Sequence, residues 1–247
     1  MTGASRGIGK AIALGLAREG AGVVVAARSE TAPSERLPGT IHETVAQIEA
    51  LGGTAVAVRC DVTDEASVTA MVETALATFG RIDVLVNNAA IDFAFPVTDM
   101  PLKRWEIVLK VNVTGPFLCT RAVLPLMIEQ KRGSIINISS LAANERGPGT
   151  VGYSAAYAAS KAALDRFTYA LAAEVGAYNI AVNGLKPAGV VDTEGMRLWV
   201  EEEGRRGWSP PDKMVACALF LAMQDARSVT ATVATDEEYI AWHGLTV

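Results

Sequence analysis

A tyrosine and a lysine four residues apart, Tyr157 and Lys161, form the pair whose chemistry is easiest to state from the sequence. On a helix, residues at this spacing lie on the same face, one turn from each other. An isolated phenol has a pKa of about 10, too high for efficient proton exchange at neutral pH, and a nearby ammonium group lowers it. The pair therefore predicts a general acid/base, although Tyr-x-x-x-Lys also occurs by chance.

The rest of the chain predicts a parallel α/β sheet, because short apolar segments alternate with helical patterns. No repeat of fixed period and no linker stands out, so residues 1–247 are predicted to form one domain, with a candidate substrate loop at about 193–209. The predicted strands are 23–27, 54–58, 82–86, 134–138, 180–185 and 229–234.

Polar residues follow several of these strands, among them Asp61, Asn87, Ser139 and Ser140. Open α/β sheets bind ligands at the carboxyl ends of their strands. The shared position of these polar residues therefore predicts a binding site along one edge of the sheet.

A glycine loop opens the chain, where residues 2–9 read Thr-Gly-Ala-Ser-Arg-Gly-Ile-Gly ahead of an alanine-rich helical pattern. Its three glycines let backbone amides at a helix N-terminus approach a phosphate, which the helix dipole favours. By itself this spacing is weak evidence, because small-residue turns without a ligand are at least as frequent.

Composition argues against several classes of function. The formal charge is −5 and no basic run is present, so nucleic acid is not an expected partner. Three separated cysteines (Cys60, Cys119 and Cys217) and two histidines suggest neither a disulfide framework nor a metal site, and they fit a reducing cytoplasm. No apolar run reaches the roughly 18 residues needed to cross a membrane, so no membrane association is expected.

With the glycine loop, Asn88-Ala89-Ala90, Ser140, Tyr157 and Lys161 in this order, the whole chain resembles the short-chain dehydrogenase/reductase family. The resemblance implies a three-layer αβα, doubly wound parallel sheet, the Rossmann fold, which holds NAD(H) or NADP(H). It implies an oxidoreductase that interconverts an alcohol and a ketone or aldehyde on a small-molecule substrate. It also implies a homo-oligomer, either a dimer or a tetramer.

The resemblance further assigns roles to single residues. It implies that Tyr157 is the acid/base and that Lys161 lowers its pKa. It implies that Ser140 orients the substrate and that Asn112 holds a water through which protons reach solvent. The residues implied to bind the cofactor are Gly3, Ser5, Arg6, Gly7, Ile8 and Gly9 in the glycine loop, Asp61 and Val62 beside adenine, Asn88 and Ala89, Tyr157 and Lys161, and Pro187 and Thr193 beside the nicotinamide.

Some of these residues have a second interpretation. Ser139 is the rival of Ser140, and Asn112 could instead satisfy backbone groups at a helix irregularity near Gly115. The aromatic residues that could either line a substrate pocket or simply pack are Phe93, Phe95, Trp199 and Trp208, and Tyr153 is expected to be a pocket or loop residue.

The cofactor preference is predicted from two arginines. An acidic residue at the end of the second family strand would bind ribose hydroxyls and repel a 2′-phosphate, but in this chain that position is Ala27, followed at once by Arg28. Arg6 is a second cation aimed at the same region. Two guanidinium groups suit a 2′-phosphate, so NADP(H) is favoured over NAD(H). Glu30 or Glu35 could fold over the ribose and reverse the preference.

The chain departs most from the family at its start, where a strand of about six apolar residues usually precedes the glycine loop. Here only Met1 precedes it. That strand would be central, between the strands predicted at 23–27 and 82–86, and each unpaired buried group would cost roughly 1 to 3 kcal/mol. The sequence alone therefore leads us to expect an apolar segment upstream of Met1, or a rearranged sheet.

Two functions of different classes follow from the sequence. The first is an NAD(P)(H)-dependent oxidoreductase. The second is a catalytically impaired or silent nucleotide-binding protein, which the absent strand makes worth considering. The set Asn112, Ser140, Tyr157 and Lys161 favours the enzyme, because a silent protein has no need of all four.

Overall fold

The structure is a computed structural model, and it describes residues 1–32, 34, 37–144, 154–198 and 200–247. Glu35, Tyr153 and Trp199 lie outside these ranges, so their suggested roles remain predictions.

Strands and helices alternate along the chain, as the sequence predicts. The strands in the described ranges are β1 Gly22–Ala27, β2 Thr54–Arg59, β3 Val84–Asn87, β4 Gly133–Ile138, β5 Ile180–Lys186 and β6 Thr232–Thr235. The α-helices there are α1 Gly7–Arg18, α2 Ile41–Ala50, α3 Glu65–Phe79, α4 Leu102–Leu109, α5 Gly115–Gln130, α6 Ala155–Val175, α7 Glu194–Arg197, α8 Asp212–Ala222 and α9 Asp236–His243. A π-helical turn, Lys110–Thr114, joins α4 to α5, and short 3₁₀ turns lie at Leu141–Ala143, Gly176–Tyr178 and Glu202–Arg205.

The strands pair in parallel and form two sheets, one of β1 and β2 and the other in the order β3-β4-β5-β6. Met1 and Thr2 lie between the two sheets. The Ala26 amide donates to the Met1 carbonyl at 3.0 Å, and the Thr2 amide donates to the Val86 carbonyl at 3.0 Å. The strand order of the family has a central strand between β1 and β3, and Met1 and Thr2 lie at that position.

Helices cover both faces of the sheets. Leu85, Ile135 and Val182 pack in one core cluster with residues of α3, α5 and α6. Their neighbours Val86 and Ile136 point the opposite way and pack with α1, α8 and α9, because successive side chains of a strand alternate between faces. With α2 packed against β1 and α1, the predicted three-layer αβα arrangement of Rossmann type is confirmed.

Local signals set the ends of the helices that position the site. Asp64 caps α3 by accepting from the Ala66 amide at 3.2 Å, and Gly80, with φ of 74°, ends that helix. Ser154 caps α6 by accepting from the Tyr157 amide at 3.1 Å. The cap fixes Tyr157 in the first turn of α6.

One helical stretch, Leu102–Gln130, is long and apolar enough to cross a membrane by length and hydropathy, which the sequence analysis overlooked. Half of its most apolar window is buried inside the protein. Leu118, Val123 and Met127 of this stretch belong to the core cluster on one face of the sheet. Its burial is that of a core helix.

Candidate active site and dinucleotide site

The glycine loop forms a tight turn at the N-terminus of α1. Gly3 and Gly7 have φ values of 63° and 58°, which favour glycine. A Cβ at Gly9 would lie 2.3 Å from the Gly3 carbonyl oxygen, so no larger residue fits there. Ile8 and Gly9 belong to the first turn of α1, and Ser5 is buried. This geometry presents backbone N–H groups at a helix N-terminus, which suits a phosphate.

An anionic group already lies against this loop. The Gly7 amide donates to Glu194 Oε2 at 2.9 Å, across 187 positions of sequence. The Thr193 side chain is also close, since a Cβ at Gly7 would meet its Cβ and Cγ2 atoms at 3.4 Å. The contact shows that the Gly7 N–H of the loop can donate to an anionic group, which is also what a pyrophosphate site requires.

Asn88 and Ala89, which are predicted to lie beside the cofactor, hold the glycine loop in place. The Asn88 Nδ2 atom donates to the carbonyls of Thr2 and Gly3, at 3.1 Å each. The amides of Asn88 and Ala89 both donate to Thr2 Oγ1, at 3.0 and 3.2 Å. Asn88 therefore acts on the shape of the loop.

The two arginines behind the cofactor prediction have different surroundings. Arg6 Nε donates to the Pro38 carbonyl at 2.9 Å, and Arg6 Nη2 donates to the Gly39 carbonyl at 2.7 Å. Burial lowers the pKa of Arg6, and the Glu194 carboxylate opposes that shift. Arg28 is exposed at the end of β1. Arg6 thus ties the loop after β1 to the glycine loop, and Arg28 is the more accessible of the two cations.

Asp61 and Val62 follow β2, where adenine is expected. Asp61 Oδ1 accepts from the Thr63 amide and hydroxyl at 2.9 and 2.8 Å. Burial acts to raise the pKa of Asp61, but these hydrogen bonds and the Arg28 charge lower it overall. Val62 is buried and packs against Gly115, where a Cβ would lie 2.8 Å from its Cγ2 atom.

Tyr157 and Lys161 lie together on α6, as their spacing predicts. The Lys161 Nζ atom is 5.5 Å from the centroid of the Tyr157 ring. The same ammonium donates to the Ile138 carbonyl at 2.7 Å, at the carboxyl end of β4. Burial lowers the pKa of Lys161 to about 8, and the Asp165 charge opposes this shift. A buried ammonium beside a phenol is the arrangement that favours a phenolate.

The two serines after β4 have separate partners. Ser139 Oγ donates to Asp165 Oδ1 at 2.5 Å, so its proton is committed to that carboxylate. Ser140 is buried and its Oγ accepts from the Ala142 amide at 3.2 Å. Its hydroxyl proton is not needed for that contact, so Ser140 is the serine that can donate to a ligand.

Asn112 lies on the π-helical turn and binds backbone. Its Oδ1 accepts from the Ile91 amide and its Nδ2 donates to the Ile91 carbonyl, both at 2.9 Å. Nδ2 also donates to Ser160 Oγ at 3.0 Å, next to Lys161. Both N–H groups are therefore used within the protein, and the side chain links the segment after β3 to α6. The backbone groups that Asn112 satisfies belong to Ile91, and not to the helix irregularity near Gly115.

A buried charge cluster that the sequence analysis missed lies one turn further along α6. Lys186 Nζ, at the end of β5, is 2.6 Å from Asp165 Oδ2 and 2.5 Å from Asn144 Oδ1. The side chains of Lys186 and Asp165 are only 4% and 15% exposed. Asp165 also accepts from Ser139, and its charge acts on Lys161. The sequence signal for Asp165 was its position four residues after Lys161, which places it on the helix face that carries Tyr157 and Lys161.

The segment after β5 is held by a residue that sequence reasoning also missed. The Ala188 amide donates to Asp236 Oδ1 at 2.8 Å, which fixes the chain directly after Pro187. Burial raises the pKa of Asp236. Thr193 caps α7 by accepting from the Met196 amide at 3.3 Å.

The aromatic residues left open by the sequence have different positions. Phe95 lines an apolar cavity of about 270 Å³ between α4 and the start of α6, together with Trp105 and Ala156. Phe93 instead lies under Arg104, whose Cζ atom is 4.3 Å from the ring centroid. Trp208 lies 6.0 Å from the guanidinium of Arg205.

No cluster of three or more potential metal ligands occurs in the described ranges. The three cysteines are buried and free. Burial raises the pKa of Cys119 and Cys217 to about 12, so these thiols remain protonated at neutral pH.

A parallel α/β fold with a glycine loop and a Tyr-Lys helix at one sheet edge is typical of a class of nucleotide-dependent oxidoreductases. Comparisons of this chain with known proteins give the same class. The family model for short chain dehydrogenases matches residues 1–204. A 3-oxoacyl-[acyl-carrier-protein] reductase from Synechocystis is 45% identical over 188 residues, which cover 76% of this chain and 71% of that protein. The human hydroxysteroid dehydrogenase-like protein 2 is 35% identical over 249 residues, which cover 99% of this chain and 57% of that protein.

Solved structures give the same result. A protein from Xanthomonas campestris assigned as a dehydrogenase superposes with a TM-score of 0.85 at 36% identity, covering 98% of this chain and 87% of its own. A metagenomic short-chain oxidoreductase in complex with NADP gives a TM-score of 0.76 at 34% identity, and the match covers 95% of this chain and 93% of that protein's chain. This chain belongs to the short-chain dehydrogenase family. It spans little more than half the length of the human relative.

Proposed function

We propose that this protein is an NAD(P)(H)-dependent oxidoreductase that interconverts an alcohol and a ketone or aldehyde. The observation that carries the proposal is the Tyr157–Lys161 pair. The buried Lys161 ammonium lies 5.5 Å from the Tyr157 ring and is held at the end of β4, beside Ser140. The glycine loop, with its bound carboxylate, lies at the same edge of the sheet.

The cofactor, when bound, supplies or accepts the hydride at its nicotinamide ring. We propose that the glycine loop holds its pyrophosphate, with Gly3, Ser5, Arg6, Gly7, Ile8 and Gly9 as the contributing residues. Arg28, Asp61 and Val62 are proposed beside the adenosine. Asn88, Ala89, Pro187 and Thr193, with Tyr157 and Lys161, are proposed nearer the nicotinamide end.

In the proposed chemistry Tyr157 exchanges a proton with the substrate oxygen. Lys161 favours the phenolate through its charge, and its buried position strengthens that interaction. Ser140 donates a hydrogen bond to the same oxygen and stabilises negative charge that develops there. For Asn112 we propose a positioning role beside the expected water-holding one, because its side chain links Ile91 to Ser160.

Several finer points belong to the same proposal. NADP(H) is favoured over NAD(H), because Arg28 is exposed beside the adenosine region and no acidic residue directly ends β1.

Residues 1–247 are proposed to act as one domain, in the cytoplasm, as a homo-oligomer. The segment at about 193–209 is the proposed substrate loop. The name of the Synechocystis relative, 3-oxoacyl-[acyl-carrier-protein] reductase, suggests a 3-oxoacyl group as one carbonyl substrate to try.

The proposal is tested with Tyr157→Phe, which removes the hydroxyl and keeps the ring. We expect turnover of an active ketone from a broad panel to fall by about 10³-fold or more, since the acid/base is lost. Fluorescence titration should still show NADPH binding, because the proposed contacts of the glycine loop and the adenosine region remain. Tyr169→Phe, on an exposed part of the same helix, is the matched control and should keep full activity. Substantial activity in Tyr157→Phe would contradict the assignment, and binding without turnover in the wild type would favour a silent nucleotide-binding protein.

A further inference from the structure

The contact between Glu194 and the glycine loop has a consequence for cofactor affinity. Gly7 is the first residue of α1, a helix of 12 residues, and its backbone amide donates to the Glu194 carboxylate at 2.9 Å. Backbone N–H groups at this end of a helix carry partial positive charge and favour anions. A carboxylate at this N–H uses the donor that a cofactor phosphate would use.

The carboxylate is held in place by the segment that carries it. Asp192 and Arg197 form a two-pronged ion pair, with Arg197 Nε and Nη2 2.7 and 2.8 Å from the Asp192 oxygens. Thr193 caps α7, and Glu194 is the first residue of that short helix. At its base the segment pairs with Ser209, whose carbonyl accepts from the Asp192 amide at 2.9 Å. The position of Glu194 is therefore built in by neighbouring contacts.

The same place is an open cavity of about 200 Å³, lined by residues of α1 and of the segment 192–197. Lys10 is one of its walls and adds a second positive group beside the N-terminus of α1. The Glu194 charge also reaches Arg6, the cation inside the glycine loop. Two carboxylates line the cavity. Asp192 is paired with Arg197, whereas Glu194 accepts from the Gly7 amide at the N-terminus of α1.

We propose that Glu194 is an internal competitor of the cofactor pyrophosphate and thereby an affinity-determining residue. This inference rests on the proposed function. Two anions cannot share the Gly7 N–H, and like charges at this distance repel each other. Binding of the dinucleotide therefore requires the Glu194 carboxylate to leave the Gly7 amide. The protein binds its cofactor less tightly than the glycine loop alone would allow.

The test compares Glu194→Gln and Glu194→Ala with the wild type. Nicotinamide fluorescence gives the Kd values for NADPH and NADH at constant ionic strength. Both variants should bind NADPH about two- to thirty-fold more tightly, the range expected for a charge at a helix N-terminus. Glu203→Gln is the matched control, because Glu203 is an exposed acid in the same loop away from Gly7. It should leave both Kd values unchanged.

A second readout does not depend on catalysis. Hydrogen exchange at the Gly7 amide of the cofactor-free protein should be faster in Glu194→Ala than in the wild type, and NADPH should protect it in both. An NADPH Kd that is unchanged or weaker in Glu194→Gln, or a Gly7 amide that exchanges equally in both free proteins, would overturn this inference alone. Absence of NADPH and NADH binding in the wild type and in both variants would overturn the proposed function as well.

Discussion

Breaking the ion pair between Asp165 and Lys186 should destabilise the protein strongly. The pair lies 2.6 Å apart, with side chains 15% and 4% exposed, so solvent screens it poorly. Asp165→Asn removes one charge and keeps the shape of the side chain. It leaves two buried ammonium groups, Lys186 and Lys161, without the carboxylate that faces both. Removing one partner of a buried pair costs about 3 to 5 kcal/mol, and that is the loss we expect.

The opposite substitution, Lys186→Met, should cost less. The Asp165 carboxylate then keeps its hydrogen bond from Ser139 and the charge of Lys161. We expect a loss of about 1 to 3 kcal/mol, the range for a buried group that loses one partner. Because the methionine fills most of the lysine volume, the double variant Asp165→Asn/Lys186→Met should lose about 2 kcal/mol less than the sum of the single losses.

Urea denaturation at pH 7, followed by circular dichroism, measures these differences. The slope of the unfolding free energy against urea must stay constant across the four proteins, since a change in slope would signal a change in the unfolded state or in cooperativity. Arg81→Met, which breaks the exposed Arg81–Asp83 pair, is the control and should leave the stability close to that of the wild type, because solvent screens this pair. Additive losses in the double variant, or a loss under about 1 kcal/mol in Asp165→Asn, would refute the reasoning.

Two further predictions concern Lys161 and Arg28. Burial lowers the pKa of Lys161 from 10.5 to about 8, so between these pH values the unfolded lysine binds more proton than the folded one and stability rises with pH. Relative to Lys161→Met, the wild type should therefore gain about 2 kcal/mol between pH 7.5 and 9.5 in urea denaturation, and a difference that is flat with pH would contradict the burial argument. Arg28→Ala should reduce kcat/KM for NADPH by about tenfold, the loss of one charge-assisted contact, while kcat/KM for NADH stays within about twofold. A preference for NADH in the wild type that survives Arg28→Ala would defeat the argument for NADP(H).

The fold was largely predictable because its signals are local. The alternation of apolar runs and helical patterns predicted each of the observed strands β1 to β6 within about three residues, and Asp64 and Gly80 marked the ends of α3. The final segment was harder. The predicted strand at 229–234 is β6 Thr232–Thr235, and the helix α9 after it was missed although Thr235 and Glu238 form a capping box. A short polar helix has little apolar periodicity from which to predict it.

The site was predictable in part. Tyr157 and Lys161 share a helix, so their spacing predicted their proximity. Asn88 was expected beside the cofactor, and its hydrogen bonds to the glycine loop were not predicted. The partner of Asn112 was not predictable, because Ile91 and Ser160 are distant in sequence and the choice between a structural and a catalytic role depends on what fills its hydrogen bonds.

The sequence by itself determined the order of elements, the class of fold and the proximity of Tyr157 and Lys161, since helix periodicity, caps and i to i+4 spacing act over a few residues. Only the tertiary structure decided which distant charges meet. It brought Glu194 to Gly7 across 187 positions and Asp165 to Lys186 between α6 and β5. Such pairings depend on how the loops after the strands converge at one sheet edge, and on burial, which makes a single unpaired charge costly. The same convergence places the Glu194 carboxylate on the Gly7 amide, where we propose that it competes with the cofactor pyrophosphate.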